Sequence, residues 1–125
     1  MSSKSVEKDV RAYNKVYRPY VPYNLRNLKT VVLPEGLTEI SINLFSGCTS
    51  LVSVNIPESV TSIGSSAFYG CSSLKEVIIG NSVTSIGDYA FRGCTSLVSI
   101  EIPESVTIIG FQAFYHHLKV SLEVN

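Results

Sequence analysis

The sequence predicts a repeat solenoid: a short array of about four coils with an N-terminal amphipathic cap helix and a C-terminal capping strand. Three observations carry this. Leu51–Ser96 consists of two consecutive versions of one 23-residue unit, LVSVNIPESVTSIGSSAFYGCSS and LKEVIIGNSVTSIGDYAFRGCTS. Diverged versions lie on both sides of that pair. Single-residue columns keep the same interval, most plainly Phe45, Phe68, Phe91 and Phe114, and Cys48, Cys71 and Cys94.

Residues 1–27 are not a repeat. Val6, Val10, Tyr13 and Tyr17 fall on one face of a helix over about 5–18. Ser5 is placed to cap it, Glu7 and Asp9 suit its positive end, and Pro19 stops it. Such a helix would cover core at the open end of an array. A tyrosine-rich binding arm (Tyr13, Tyr17, Tyr20, Tyr23) is the competing reading.

The repeating units run over 28–50, 51–73, 74–96 and 97–117. Each opens with apolar residues at its first, fourth and sixth positions, as in Leu51, Val54 and Ile56, which point into the core from one strand. This L-x-x-[VI]-x-[IL] opening, with a period between 20 and 29, is a leucine-rich-repeat signature. Pro34, Pro57 and Pro103 end that strand, and Gly80 does so in the third unit. The following V-T-x-I-G stretch alternates, with Leu37/Ile40, Val60/Ile63, Val83/Ile86 and Val106/Ile109 inward. Gly64, Gly87 and Gly110 are expected to supply a backbone turn after it. The A-F-x-G-C piece then buries the Phe column, and Gly47, Gly70 and Gly93 turn the chain into the next coil.

The last unit departs from the pattern. His116 and His117 replace Gly and Cys. Ile108 stands where earlier units have Glu39, Ser62 and Ser85, and Phe111 where they have Ile42, Ser65 and Asp88. Residues 118–125 follow, and LKVSLEV within them alternates as a final parallel rung or cap strand would. That strand is expected to cover Ile108 and Phe111 in part; left bare, they would make an adhesive end and favour a homo-oligomer through the repeat ends.

Composition narrows the function classes. At 125 residues the chain is one domain by size. Its formal net charge is zero, yet residues 1–29 hold seven basic and two acidic residues (+5) and residues 30–125 hold three basic and eight acidic (−5). The basic end is read as a solvated helix face, so no nucleic acid is expected as a partner. No stretch approaches the roughly 18–20 apolar residues of a membrane span. MSSKSVEKDV has no apolar signal-peptide core, and three cysteines in one phase do not make a disulfide framework. Both features favour a cytoplasmic setting. There is no P-loop, GxGxxG, GxSxG or paired CxxC, and two adjacent histidines do not face one way in regular structure. Neither enzyme chemistry, a cofactor nor a metal site is expected.

The consensus L-x-x-V-x-I-P-x-S-V-T-x-I-G-x-x-A-F-x-G-C-x-S resembles the 23-residue BspA-like class of leucine-rich repeats, from Leu28 to about His117. The resemblance implies a curved right-handed solenoid with one short parallel strand per coil. It also implies adhesion or protein binding, often on microbial surfaces, which sets a surface or secreted location against the cytoplasmic one. Recognition would then use outward positions. On the leading strands these include Lys29, Val52, Lys75 and Val98, then Glu76, then Asn55, Ile78 and Glu101. Tyr69, Arg92 and Tyr115 offer interface-prone side chains on the A-F-x turn. The partner expected is another protein. The alternative function is a structural or assembly subunit that docks through its ends at Ile108 and Phe111.

Overall fold

The computed structural model describes residues 27–115 and the backbone of 119–122. The helix predicted over 5–18, the tyrosine-rich arm, His116 and His117 lie outside the described residues. Among the described residues there is no helix; every regular element is a short strand.

Two strand sets run along the array. The second strand of each unit is two residues long: β1 (Glu39–Ile40), β3 (Ser62–Ile63), β5 (Ser85–Ile86) and β7 (Ile108–Ile109). They form one parallel sheet in the order β1-β3-β5-β7, with Ile40, Ile63, Ile86 and Ile109 in register. The leading strands are β2 (Ser53–Ile56), β4 (Glu76–Ile79) and β6 (Ser99–Ile102). Their even positions are buried and their odd ones face out, which is the period of a half-buried strand. Each ends where proline or glycine follows: Pro57, Gly80 and Pro103. The first unit contributes only an isolated bridge, Thr30 to Ser53. β2 pairs with β4, and β6 with β8 (Lys119–Leu122), all in parallel. β4 and β6 pack side by side with no ladder between them.

Stacking at this period explains the core. Phe45, Phe68 and Phe91 are fully buried, and successive rings from Phe45 to Phe114 stack with centroids 5.3, 5.1 and 5.4 Å apart. Leu51, Leu74 and Leu97 make a second buried column, and Val60 and Val83 a third. Each such side chain contributes about 1.5–3 kcal/mol on burial. The last coil differs. Phe114 and Val106 are only partly buried, and Ile109, predicted inward, is 45% exposed. Its equivalents Ile40, Ile63 and Ile86 are covered by the strand stacked beyond them, whereas β7 is the edge of its sheet.

Backbone hydrogen bonds lock the same register. Thr61, Thr84 and Thr107 each donate N–H to the threonine carbonyl of the preceding coil at 2.8 Å. Their hydroxyls donate to that same carbonyl at 3.2, 3.1 and 3.3 Å. On the other flank the direction reverses: Phe45, Phe68 and Phe91 N–H groups donate forward to Ala67, Ala90 and Ala113, again at 2.8 Å.

Two turn features differ from the sequence expectation. Gly64, Gly87 and Gly110 are not in the left-handed region; a Cβ on any of them would meet the preceding coil's backbone within 3.0 Å. They are glycines because adjacent coils approach closely there, not because the chain must reverse. The left-handed position lies two residues further on, at Asn43, Ser66, Tyr89 and Gln112, with φ of 62, 56, 58 and 51°. These non-glycine residues cost about 1–2 kcal/mol each, offset by the forward N–H bonds that Asn43, Ser66 and Tyr89 make.

Phe68→Ala removes the middle of the ring column. It is expected to lower stability by about 3–5 kcal/mol, measured by chemical denaturation; an unchanged midpoint would reject the column as the core.

Candidate functional site

The outward side chains of the leading strands line a groove of about 920 Å³ that runs across β2, β4 and β6. Five of the predicted recognition residues meet there: Asn55, Lys75, Glu76, Ile78 and Glu101. Asn55 and Ile78 are register partners, and Glu101 continues their column one unit later. Ile78 is 53% exposed at the middle of this row although it lies in a strand. Lys29, Val52 and Val98 belong to the outward rows but do not line the groove.

The rim adds residues that lie outside the strand rows. Glu35, Glu58 and Asn81, each one position past the strand-ending residue, line the groove beside Pro57 and Pro103. Their common phase was the available signal; that the strand ends bend them onto the face was not visible in the pattern. The Asn81 N–H donates to the Glu58 carboxylate, which therefore ties the rims of two coils together. Gly80 permits this approach, since a Cβ there would meet the Ile56 and Pro57 carbonyls and the same carboxylate. Glu35, Glu58, Glu76 and Glu101 against Lys75 leave the described groove lining at a formal −3.

A second surface forms on the A-F-x turn, outside the groove. The Arg92 guanidinium carbon sits 5.5 Å from the Tyr89 ring centroid and 5.0 Å from that of Tyr115. This is cation–π range for both rings. Phe111 meets Tyr89 edge-on at 5.8 Å. Tyr69 stands exposed one unit before Arg92. Tyr89 was missed from the sequence because no other unit has an aromatic residue at its phase.

The last coil presents the third surface. Ile108 and Phe111 are each 63% exposed. β8 is a rung on β6 and so extends the leading-strand side; it does not pair with β7. Asp88 accepts a hydrogen bond from the Phe111 N–H at 2.7 Å, which fixes the backbone while the ring projects outward.

The cysteines are structural by their surroundings. Cys48, Cys71 and Cys94 are free and buried. The Cys71 thiol donates to the Phe45 carbonyl and the Cys94 thiol to the Phe68 carbonyl, both at 3.1 Å. The neighbouring Cys94 thiol and then burial push the Cys71 thiol well above its ordinary range, so it stays protonated and a poor nucleophile. Among the described residues no group of three or more His, Cys, Asp or Glu is placed to hold a metal ion. No described helix is long and apolar enough to cross a membrane.

Comparison with known proteins agrees with the repeat geometry. The model of the BspA-type leucine-rich repeat region matches residues 17–123 with six copies, and the chain belongs to that family. The match begins upstream of Leu28, where the 23-residue phase becomes strict. Among solved structures, a T. pallidum leucine-rich repeat protein is 34% identical, with a TM-score of 0.64 over 74% of this chain and 51% of its own. A leucine-rich cell surface protein of Faecalibacterium prausnitzii A2-165 is 40% identical, with a TM-score of 0.60 over 62% of this chain and 20% of its own. A leucine-rich repeat protein of Bacteroides capillosus is 30% identical, with a TM-score of 0.62 over 70% of this chain and 64% of its own. The chain thus spans between a fifth and about two thirds of each of these proteins. No curated protein matches it.

Native protein is expected to resist thiol labelling at Cys71 and Cys94, with reaction following unfolding. The fold favours the protonated Cys71 thiol, so stability should be flat below the ordinary thiol pKa and fall as pH rises past about 9. Fast labelling of folded protein at neutral pH would contradict this.

Proposed function

We propose that the chain is a non-enzymatic protein-recognition module that binds its partner in the groove on the leading-strand face. The family supports a protein-binding role in general terms; an adhesive use, as on a microbial surface, is the finer part of the proposal. The observation that carries it is Ile78, an exposed apolar side chain at the middle of the groove, between Asn55 and Glu101. Apolar residues ringed by polar ones are how interfaces are built. The same reading keeps the four units from Leu28 as the working array, with residues 1–27 and 118–125 as its caps.

Ile78→Ser is expected to weaken partner capture about tenfold while changing stability by no more than about 1 kcal/mol. Capture would be compared side by side with the wild type and with Thr49→Ala, an exposed control outside the groove. Equal capture by all three would move the site off the strand face.

A second reading, an assembly subunit that docks through its end, has its own observation. Ile108, Ile109 and Phe111 are exposed together on the edge strand and the turn after it. Light scattering across a concentration series should then show association that Ile108→Lys with Phe111→Lys abolishes. A wild-type monomer at every concentration would sink this reading.

A further inference from the structure

We infer that the partner segment received by the strand-face groove is cationic: a stretch of Lys or Arg interrupted by an apolar residue. The inference rests on the strand face being the binding surface and adds the chemistry of what binds there. Three observations lead to it.

The first is the local sign of charge. Half of the eight acidic residues beyond residue 29 line this one groove, and Lys75 is the only cation among its described lining residues, although the chain as a whole is neutral. The concentration follows from stacking, because each coil contributes its outward carboxylate to the same face. Glu35 comes from the first unit, Glu58 from the second, Glu76 from the third and Glu101 from the fourth.

The second is how those charges are used. Glu58 is engaged by the Asn81 N–H, which settles its carboxylate in place. Among the described residues, no Lys or Arg pairs with Glu35, Glu76 or Glu101. Carboxylates on a concave surface focus their field into the groove and raise the local concentration of cations. They equally disfavour a nucleic acid or an acidic polypeptide.

The third is Ile78. A groove for a simple cation has no use for an exposed isoleucine between Asn55 and Glu101. A polypeptide segment with an apolar side chain between basic ones meets both features at once: charge at the rim and apolar contact at the middle. Charge then sets orientation and association rate, and the apolar contact sets residence time.

The test uses the full chain and three fluorescent heptapeptides, alternating Lys-Val, Ser-Val and Glu-Val, with binding read by anisotropy at low and high salt. The Ile78 methyl resonances report the site. The Lys-Val peptide should bind about tenfold or more tightly than the other two, weaken with salt, and shift the Ile78 methyls. Glu76→Gln with Glu101→Gln should weaken it about tenfold, with an unchanged melting temperature confirming an intact fold. A Glu-Val peptide that binds as tightly and shifts Ile78 overturns the cationic partner while the strand face stands as the site. A Lys-Val peptide that binds without moving Ile78 overturns the strand face, and this inference with it. Absence of binding by all three overturns the cationic partner and leaves the strand face to the Ile78→Ser capture comparison.

Discussion

Each coil of this protein places its atoms beside the equivalent atoms of the coil 23 residues away, and almost everything else depends on that translation. Threonine carbonyls accept from the next threonine, isoleucine aligns with isoleucine, and phenylalanine stacks on phenylalanine. Among the four units that spacing does not vary, and the one shorter step, Ser99 to Lys119, falls at the last rung. A one-residue slip would send every inward strand residue outward and would break both flanks of hydrogen bonds at once. The close approach at Gly64, Gly87 and Gly110 is part of the same constraint, since any side chain there would force the coils apart.

A fold held this way decides its surfaces by elimination. Inward positions are committed to columns of Phe, Leu, Ile, Val, Ala and Cys, and turn positions to close packing. What varies freely is the outward row of each strand and whatever lies on the terminal coils. The groove around Ile78 and the exposed end around Ile108 and Phe111 are therefore surfaces that the stack leaves uncommitted. The cysteine column belongs to the committed set, since its thiols donate to core carbonyls.

The columns were legible in the sequence because translation writes them directly: a residue that must match its neighbour 23 positions away reappears there. Features without a repeated residue type were not legible. Asn43, Ser66, Tyr89 and Gln112 share one backbone conformation but no side-chain chemistry. The missing leading strand of the first unit and the missing ladder between β4 and β6 concern pairing geometry, which composition does not encode. The site was legible in half. Asn55, Lys75, Glu76, Ile78 and Glu101 follow from strand alternation, whereas Glu35 and Glu58 join them through the path of the chain after the strand. Ile109 was misjudged because alternation says which way a side chain points, not whether another coil exists to cover it.

The opposed hydrogen-bond directions on the two flanks have an electrical consequence. On the threonine flank N–H groups point back along the array, and on the phenylalanine flank they point forward. Their peptide dipoles oppose one another, unlike those of an α-helix, which all align and sum toward its ends. Lengthening such an array therefore builds up little axial field from these bonds, however many coils it has. The potential over the groove is then governed by the side chains that line it, so single substitutions on that face can reset its local charge without disturbing the scaffold.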